Sequence, residues 1–99
     1  MAPLTYIRKA VFEGDERKAR ANFDKHGVTF DEAASAFDDA QGLDGEDLLH
    51  SATESRHLRL ASSSAGRVLV VAYAMRGQAV RLISARLASR KERNRYAEA

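Results

Sequence analysis

Hydrophobic positions in the first half of the chain repeat with a helical period. Between Asp15 and Gly27, residues at i, i+3, i+4 and i+7 share one face of a predicted helix: Ala19, Asn22, Phe23 and His26. Asp15 can cap the first turn, and Gly27 can end the last one. A second predicted helix follows at once, since Thr29 and Glu32 have capping-box spacing, and its apolar stripe comprises Phe30, Ala33, Ala34 and Phe37. These elements form a helical hairpin with almost no loop.

In the second half the period changes to two, which is typical of strands. Residues 56–61 alternate, with one set of side chains on one face: Arg56, Leu58 and Leu60. Residues 67–74 are nearly all apolar, which predicts a central strand covered on both faces. Residues 79–85 form a third strand, in which two sets face opposite ways: Val80, Leu82 and Ser84, then Arg81, Ile83 and Ala85. The three strands predict an antiparallel meander.

Shorter elements complete the expected architecture. Residues 10–12 are a strand candidate, and the acidic segment 38–55 is a loop with a short strand near 41–43. Ser89 and Glu92 make a second capping box, which opens a C-terminal helix. The predicted fold class is α+β, a small antiparallel sheet with two N-terminal helices and a C-terminal helix, in a single domain spanning residues 1–99.

Charge is distributed unevenly along the 99 residues, although the net charge is only +2. Residues 1–54 carry six basic and twelve acidic side chains, whereas residues 55–99 carry ten and two. Nine of those ten basic residues are arginines, which bind phosphate oxygens through a planar fork. This asymmetry favours a polyanionic ligand if the fold gathers the basic half on one face. The competing interpretation is that the arginines reflect genome composition alone.

Several classes of chemistry are disfavoured by what the sequence lacks. There are no cysteines, the three histidines have no metal-binding spacing, and the six glycines form no phosphate-binding loop. No GxSxG motif is present, and no apolar run reaches the ~18 residues of a membrane span. The N-terminus also lacks a secretory apolar region, so we expect a cytoplasmic protein without cofactor or metal.

The remaining candidates are acid–base groups near arginines: His26, His50, Glu54 and His57. His26 shares a helical face with Phe23 and is as readily a core residue. Glu54 and Arg56 are as readily a surface pair. Arg81 is harder to explain structurally, because a charge between two apolar strand residues must face a partner or a cleft.

Five blocks of the sequence, from about Phe12 to Tyr96, together resemble BrnT-type toxins of type II toxin–antitoxin systems. They are "KARANFDKHGVTFDEAASAF", "ESR", "GRVLVVAY", "VRLISARLAS" and "ERNRY". The chain departs from the usual pattern at Phe12-Glu13, at Asp38–Asp39 without a following proline, and at Ala61 in place of glycine. The resemblance implies a RelE-like fold, with helices on one side of the sheet and a cleft on the other.

The resemblance also implies a function, with partners. Such proteins are ribonucleases that arrest translation, and their usual partner is a BrnA-type ribbon-helix-helix antitoxin. Two toxins commonly assemble with two antitoxins, and the complex binds operator DNA. The positions that match family motifs are Lys25, His26, Glu54, Arg56, Arg81, Arg86 and Tyr96. The C-terminal helix would follow the RNA backbone through Arg90, Lys91, Arg93 and Arg95.

Within the site that the resemblance implies, each residue type suggests a chemical role. Arg81 and Arg86, assisted by Arg56, would neutralise the reacting phosphate in a reaction that needs no metal. Proton transfer would fall to Lys25–His26 or to Glu54, and Tyr96 would stack on a base or hold the phosphate.

Two other classes of function remain open at this point. One is a nucleic-acid-binding module without chemistry, although the second predicted helix lacks side chains that read base edges. The other is a protein-interaction module whose arginines meet an acidic partner. An assay for RNA cleavage would distinguish a ribonuclease from both of these alternatives.

Overall fold

A computed structural model describes residues 11–50 and 54–99. Its strands are β1 (Val11–Glu13), β2 (Leu43–Glu46), β3 (His57–Ser62), β4 (Val68–Arg76) and β5 (Ala79–Leu87). Its helices are α1 (Glu16–His26), α2 (Phe30–Ser35) and α3 (Arg90–Glu98), and two short 3₁₀ turns lie at Ala36–Asp38 and Leu48–His50. Within these described ranges, no helix is long and apolar enough to span a membrane.

The five strands form one sheet in the order β1-β5-β4-β3-β2. The meander β3-β4-β5 is antiparallel as predicted, and β2 extends it beside β3. β1 pairs with β5 in parallel, so the sheet is mixed rather than wholly antiparallel. A tight hairpin would force two strands to be antiparallel. Because β1 and β5 are far apart in the sequence and not joined by a hairpin, they can pair in parallel. The predicted α+β class, with two N-terminal helices and one C-terminal helix, is confirmed.

The predicted helix ends are present. The Asp15 carboxylate accepts the Arg17 N–H at 2.7 Å, and Gly27 ends α1 with φ of 69°. Thr29 caps α2 by accepting the Glu32 N–H at 3.0 Å. α3 begins with the complete Ser89–Glu92 capping box.

The Glu32 side chain has a role that local spacing did not predict. Its carboxylate accepts bonds from Arg67 at 2.5 and 2.9 Å and from the Ser63 hydroxyl at 2.7 Å. The hydrogen bonds from Arg67 hold the pKa of Glu32 below its usual value. This ion pair fastens the start of α2 to the turn between β3 and β4.

The core lies between one face of the sheet and the α1–α2 layer. It is built mainly from small and branched side chains: Val28, Ala33, Ala36, Ala61, Leu69, Val71, Val80, Leu82 and Ala85. Phe37 packs edge-on against Phe12 and Tyr73, with ring centroids 5.3 and 5.0 Å apart. The alanines permit the helices to approach the sheet closely. The opposite face of the sheet remains open to α3 and to solvent.

A β-bulge in β5 changes which side chains reach that open face. Ser84 pairs with Ala72 and Leu82 with Tyr73, so Ile83 is an extra residue in the ladder. Alternation is interrupted there, and Ala85 rather than Ser84 enters the core. The predicted division of β5 into two faces is therefore correct before Ile83 and wrong after it.

Asn22 is the buried polar residue that joins α1 to the edge of β5. Its side-chain carbonyl accepts the Ala85 N–H at 3.0 Å, and its amide donates to the carbonyls of Ala85 and Val28 at 2.9 Å each. β1 pairs with β5 only as far as Arg81. At Ala85, where β1 no longer pairs with β5, the Asn22 side chain binds the backbone N–H and carbonyl that a neighbouring strand would otherwise bind.

The Asn22→Leu variant is expected to lower the free energy of unfolding by about 2–4 kcal/mol, because it leaves three buried backbone groups without partners. Urea denaturation monitored by circular dichroism measures this. Asp24→Ala, on the exposed side of the same helix, should change stability by no more than about 0.5 kcal/mol. Equal stability of the Asn22→Leu variant and the wild type would contradict this account.

Candidate active site

The open face of the sheet contains a cleft of about 370 Å³. Its apolar floor comes from three strands: Leu58, Val70, Ala72 and Ile83. Its polar lining is formed by Asp47, His50, Arg56, Ser84 and Arg86. A second hollow of about 190 Å³ shares Leu58 and Val70 with it and is bordered on the α3 side by Glu92 and Arg95. The cleft therefore combines arginines, a carboxylate, an imidazole and a hydroxyl over a rigid sheet.

Arg86 is brought into the cleft by the bulge and is held there by α3. Its guanidinium binds Glu92 through two hydrogen bonds of 2.8 and 2.9 Å. The same carboxylate accepts the Ser89 N–H, so the capping box also orients the arginine. The hydrogen bonds from Arg86 lower the pKa of Glu92 to about 2 and raise the pKa of Arg86. Both groups consequently stay charged at neutral pH.

Arg56 reaches the cleft from the segment that leads into β3, on the face that the alternation predicted it to share with Leu58. The backbone carbonyl of Arg56 accepts the Asp47 N–H at 2.7 Å. That bond connects the Arg56 segment to the residue just before the 3₁₀ turn Leu48–His50. Arg56 and Arg86 thus come together, although they are thirty positions apart.

Arg81 lies on the same face as Ser84 and Arg86 but outside the cleft lining. It stands beside Ala74 in the β4–β5 ladder and forms an ion pair with Glu54. Its Nε is buried without a hydrogen-bond partner in the described part of the chain. The charge between two apolar neighbours is therefore compensated by Glu54, a residue that matches a different family motif.

The Asp47–His50 pair is a feature that sequence reasoning missed in part. From the sequence, His50 was named as an acid–base candidate, but Asp47 was not named. The turn Leu48–His50 brings His50 Nδ1 within 2.9 Å of Asp47 Oδ2. The Asp47 side chain is 13% exposed, whereas that of His50 is 63% exposed. The available signal was the i, i+3 spacing of an acid and a histidine in "DLLH".

Lys25 and His26 lie apart from this group. They form the last turn of α1, in the layer that packs against the opposite face of the sheet. Neither residue lines the cleft. Their catalytic role remains a prediction without a contact to the arginines among the described residues.

Tyr96 joins α3 to the segment that follows α2. Its hydroxyl donates to Asp39 Oδ2 at 2.5 Å, and Asp39 also accepts the Ser62 N–H at 2.8 Å. The hydrogen bond to Asp39 raises the pKa of Tyr96, and the same bond lowers the pKa of Asp39. Asp39, one of the positions that depart from the family pattern, thus anchors the C-terminal helix.

The basic residues of α3 differ in their surroundings. Arg93 donates to the Ala88 carbonyl at 3.0 Å, and Arg95 lines the second hollow. Arg90 and Lys91 are exposed on the first turn. These four side chains make α3 strongly basic, and Arg95 brings part of that charge to the second hollow.

The fold and the cleft together define a small α+β protein with an arginine-lined depression on the open face of its sheet, a site suited to anionic substrates. The family profile of BrnT, described as the ribonuclease toxin of a type II toxin–antitoxin system, matches residues 15–92. The chain therefore belongs to the BrnT toxin family. A type II system pairs its toxin with a protein antitoxin, so a protein partner is implied.

Comparison with solved structures shows that the fold is similar to that of a BrnT toxin. The crystal structure of the Brucella abortus ribonuclease toxin BrnT, solved at 1.1 Å, aligns with a TM-score of 0.65. The alignment covers 82% of this chain and 99% of that chain, with 21% sequence identity. The search of curated proteins found no significant match.

Proposed function

We propose that this protein is a metal-independent endoribonuclease toxin that cleaves RNA and thereby inhibits translation in the cytoplasm. The observation that carries the proposal is the cleft in which Arg56 and Arg86 lie with an Asp–His pair above an apolar floor. Membership of a family described as ribonuclease toxins supports the reaction class. The proposed mechanism uses side chains alone, with Arg56 and Arg86 in the role that a metal ion would otherwise take.

In the proposed reaction, the 2′-oxygen of the RNA attacks the adjacent phosphorus, and the 5′-oxygen departs. Negative charge grows on the phosphoryl oxygens as the new bond forms. Arg56 and Arg86 would hold those oxygens by charge-assisted hydrogen bonds. Removal of one such donor typically costs about 10²–10³-fold in rate. Because Glu92 already fixes the orientation of Arg86, the guanidinium need not reorient as the transition state forms.

The other predicted site residues take secondary roles in this proposal. Arg81 and Glu54 pair with each other outside the cleft lining and would support the site by fixing β5 rather than by contacting the phosphate. Tyr96 would keep α3 in place through Asp39, rather than stack on a base. The exposed cations of α3 would bind successive phosphates, which makes affinity sensitive to salt: Arg90, Lys91, Arg93 and Arg95.

The proposed partner is a BrnA-type ribbon-helix-helix antitoxin, in an assembly of two toxins with two antitoxins. This follows from the family, and the basic helix α3 suits an acidic partner surface. Operator DNA would be bound only through the antitoxin, and no membrane is involved. Co-expression with the antitoxin should relieve the growth arrest that the toxin causes alone.

The decisive experiment incubates the purified protein with RNA in the presence of EDTA. We expect cleavage that persists at saturating EDTA, with 2′,3′-cyclic phosphate ends on the products. A preparation carrying both Arg56→Ala and Arg86→Ala serves as the control for contaminating nuclease. Intact RNA, or equal cleavage by the double variant, would overturn the ribonuclease proposal. Binding without cleavage would instead favour a nucleic-acid-binding module, and loss of cleavage in EDTA would overturn metal independence.

A further inference from the structure

The turn that precedes β3 places an imidazole against a carboxylate at the edge of the cleft. Asp47 is largely buried and is fixed by the bond from its N–H to the Arg56 carbonyl. His50 projects from the same turn and is mostly exposed, with Nδ1 held by Asp47. Because Nδ1 is engaged, Nε2 is the ring nitrogen left to exchange a proton with a ligand.

We propose that His50 is the general base of the ribonuclease reaction and that Asp47 is its positioning residue. This inference rests on the function proposed above and names the group that moves the proton. The charged groups that line the cleft around His50 are Asp47 from the same turn, Arg56 ahead of β3 and Arg86 from β5. The two arginines mark where the phosphate binds, and the imidazole lies on the same cleft wall as Asp47.

The 2′-hydroxyl proton passes to His50 Nε2 as the bond from O2′ to phosphorus forms. The bond from phosphorus to O5′ breaks, its electron pair stays on O5′, and O5′ takes a proton from water. The hydroxide that remains takes the proton from His50 Nε2, which restores the neutral imidazole. The products are a 2′,3′-cyclic phosphate and a 5′-hydroxyl. The Asp47 carboxylate keeps the Nδ1 proton in place and stabilises the imidazolium that forms.

The sequence-based candidates for this step fit the geometry less well. Glu54 is engaged by Arg81, and an ion-paired carboxylate is a weak base. Lys25 and His26 end the helix on the other side of the sheet. His57 stacks on Tyr73 with a centroid separation of 5.4 Å, on the core side. Only the Asp47–His50 pair, among the described acid–base groups, lines the cleft together with two arginines.

The test compares His50→Gln and Asp47→Asn with the wild type in single-turnover cleavage across the neutral pH range. His50→Gln should lower the rate by about 10²–10⁴-fold and remove the rise of rate with pH. Asp47→Asn should lower it less, by about 10–100-fold, because the imidazole is then no longer held by a carboxylate. Affinity for a 2′-deoxy analogue of the substrate, which cannot be cleaved, should stay at the wild-type value for both variants.

Chemical rescue separates a catalytic role from a structural one. Added imidazole should restore part of the activity of His50→Gly but none of that of Arg86→Ala. Leu48→Ala provides a matched control, since Leu48 lies in the same turn, is 78% exposed and does not line the cleft. It should cleave at the wild-type rate.

The outcomes distinguish this inference from the function on which it rests. Cleavage by the wild type together with an unimpaired His50→Gln variant would overturn the dyad and leave the ribonuclease standing. An equal loss in Leu48→Ala, or the absence of imidazole rescue, would also overturn it, in favour of a structural turn. A wild-type protein that cleaves no RNA would overturn both proposals.

Discussion

Replacement of Arg59 by methionine is expected to lower the free energy of unfolding by about 2–4 kcal/mol, because it leaves two backbone carbonyls and the Asp44 carboxylate without their donor. The Arg59 side chain is only 11% exposed and binds Asp44 at 2.5 Å. It also donates to the carbonyls of Ala36 and Asp39, at 3.0 and 2.5 Å. Methionine fills much of the same volume but leaves these acceptors without a donor. The effect therefore reports lost hydrogen bonds rather than a cavity.

Equilibrium denaturation by urea measures the change. Arg76→Met is the matched control, because Arg76 is largely exposed and lies 3.9 Å from Glu13. An exposed pair of this kind contributes about 0–1 kcal/mol. Similar losses in the two variants would refute the anchoring role of Arg59. Gly42→Ala should also be destabilising, since an added Cβ would lie 2.4 Å from the Arg59 guanidinium.

Arg56→Ala and Arg86→Ala are each expected to lower the RNA cleavage rate by about 10²–10³-fold, with little change in the free energy of unfolding. Each variant removes one donor to the phosphoryl oxygens. Arg86→Lys should recover only part of the rate, because lysine keeps the charge but loses the planar fork that Glu92 orients. Single-turnover kinetics measure these rates directly.

Arg20→Ala is the control for net charge. Arg20 is exposed on α1 and lies outside the cleft, so its loss removes the same charge from the other layer. It should cleave RNA at nearly the wild-type rate. Equal losses in Arg20→Ala and Arg86→Ala would show that overall charge, rather than the cleft, controls cleavage.

Much of the fold was predictable because the signals are local. Asp15, Thr29 and Ser89 cap helices through neighbouring N–H groups, and the alternation around Leu58 identifies β3 and its faces. β2 lies two residues later than the expected strand near 41–43, at Leu43–Glu46. The parallel position of β1 was not predicted, since it depends on pairing with a strand almost seventy residues away.

The site was predicted less completely than the fold. Arg56 and Arg86 were chosen because they match family motifs, and both line the cleft, while their roles stay predictions. Asp47 was overlooked because the acidic loop offered no period from which its direction could be inferred. Lys25 and His26 were grouped with the arginines on family resemblance, but the helix that carries them packs on the other face of the sheet.

The sequence by itself determined the element types, the helix caps, the family and the concentration of arginine in the second half of the chain. Each of these depends on residue identity and on spacing within a few positions. Only the tertiary structure decided which charged groups meet. The extra residue Ile83 turns Ser84 and Arg86 to the open face, and Glu92 then orients Arg86. Burial and long-range pairing set those contacts, and neither is encoded in local periodicity.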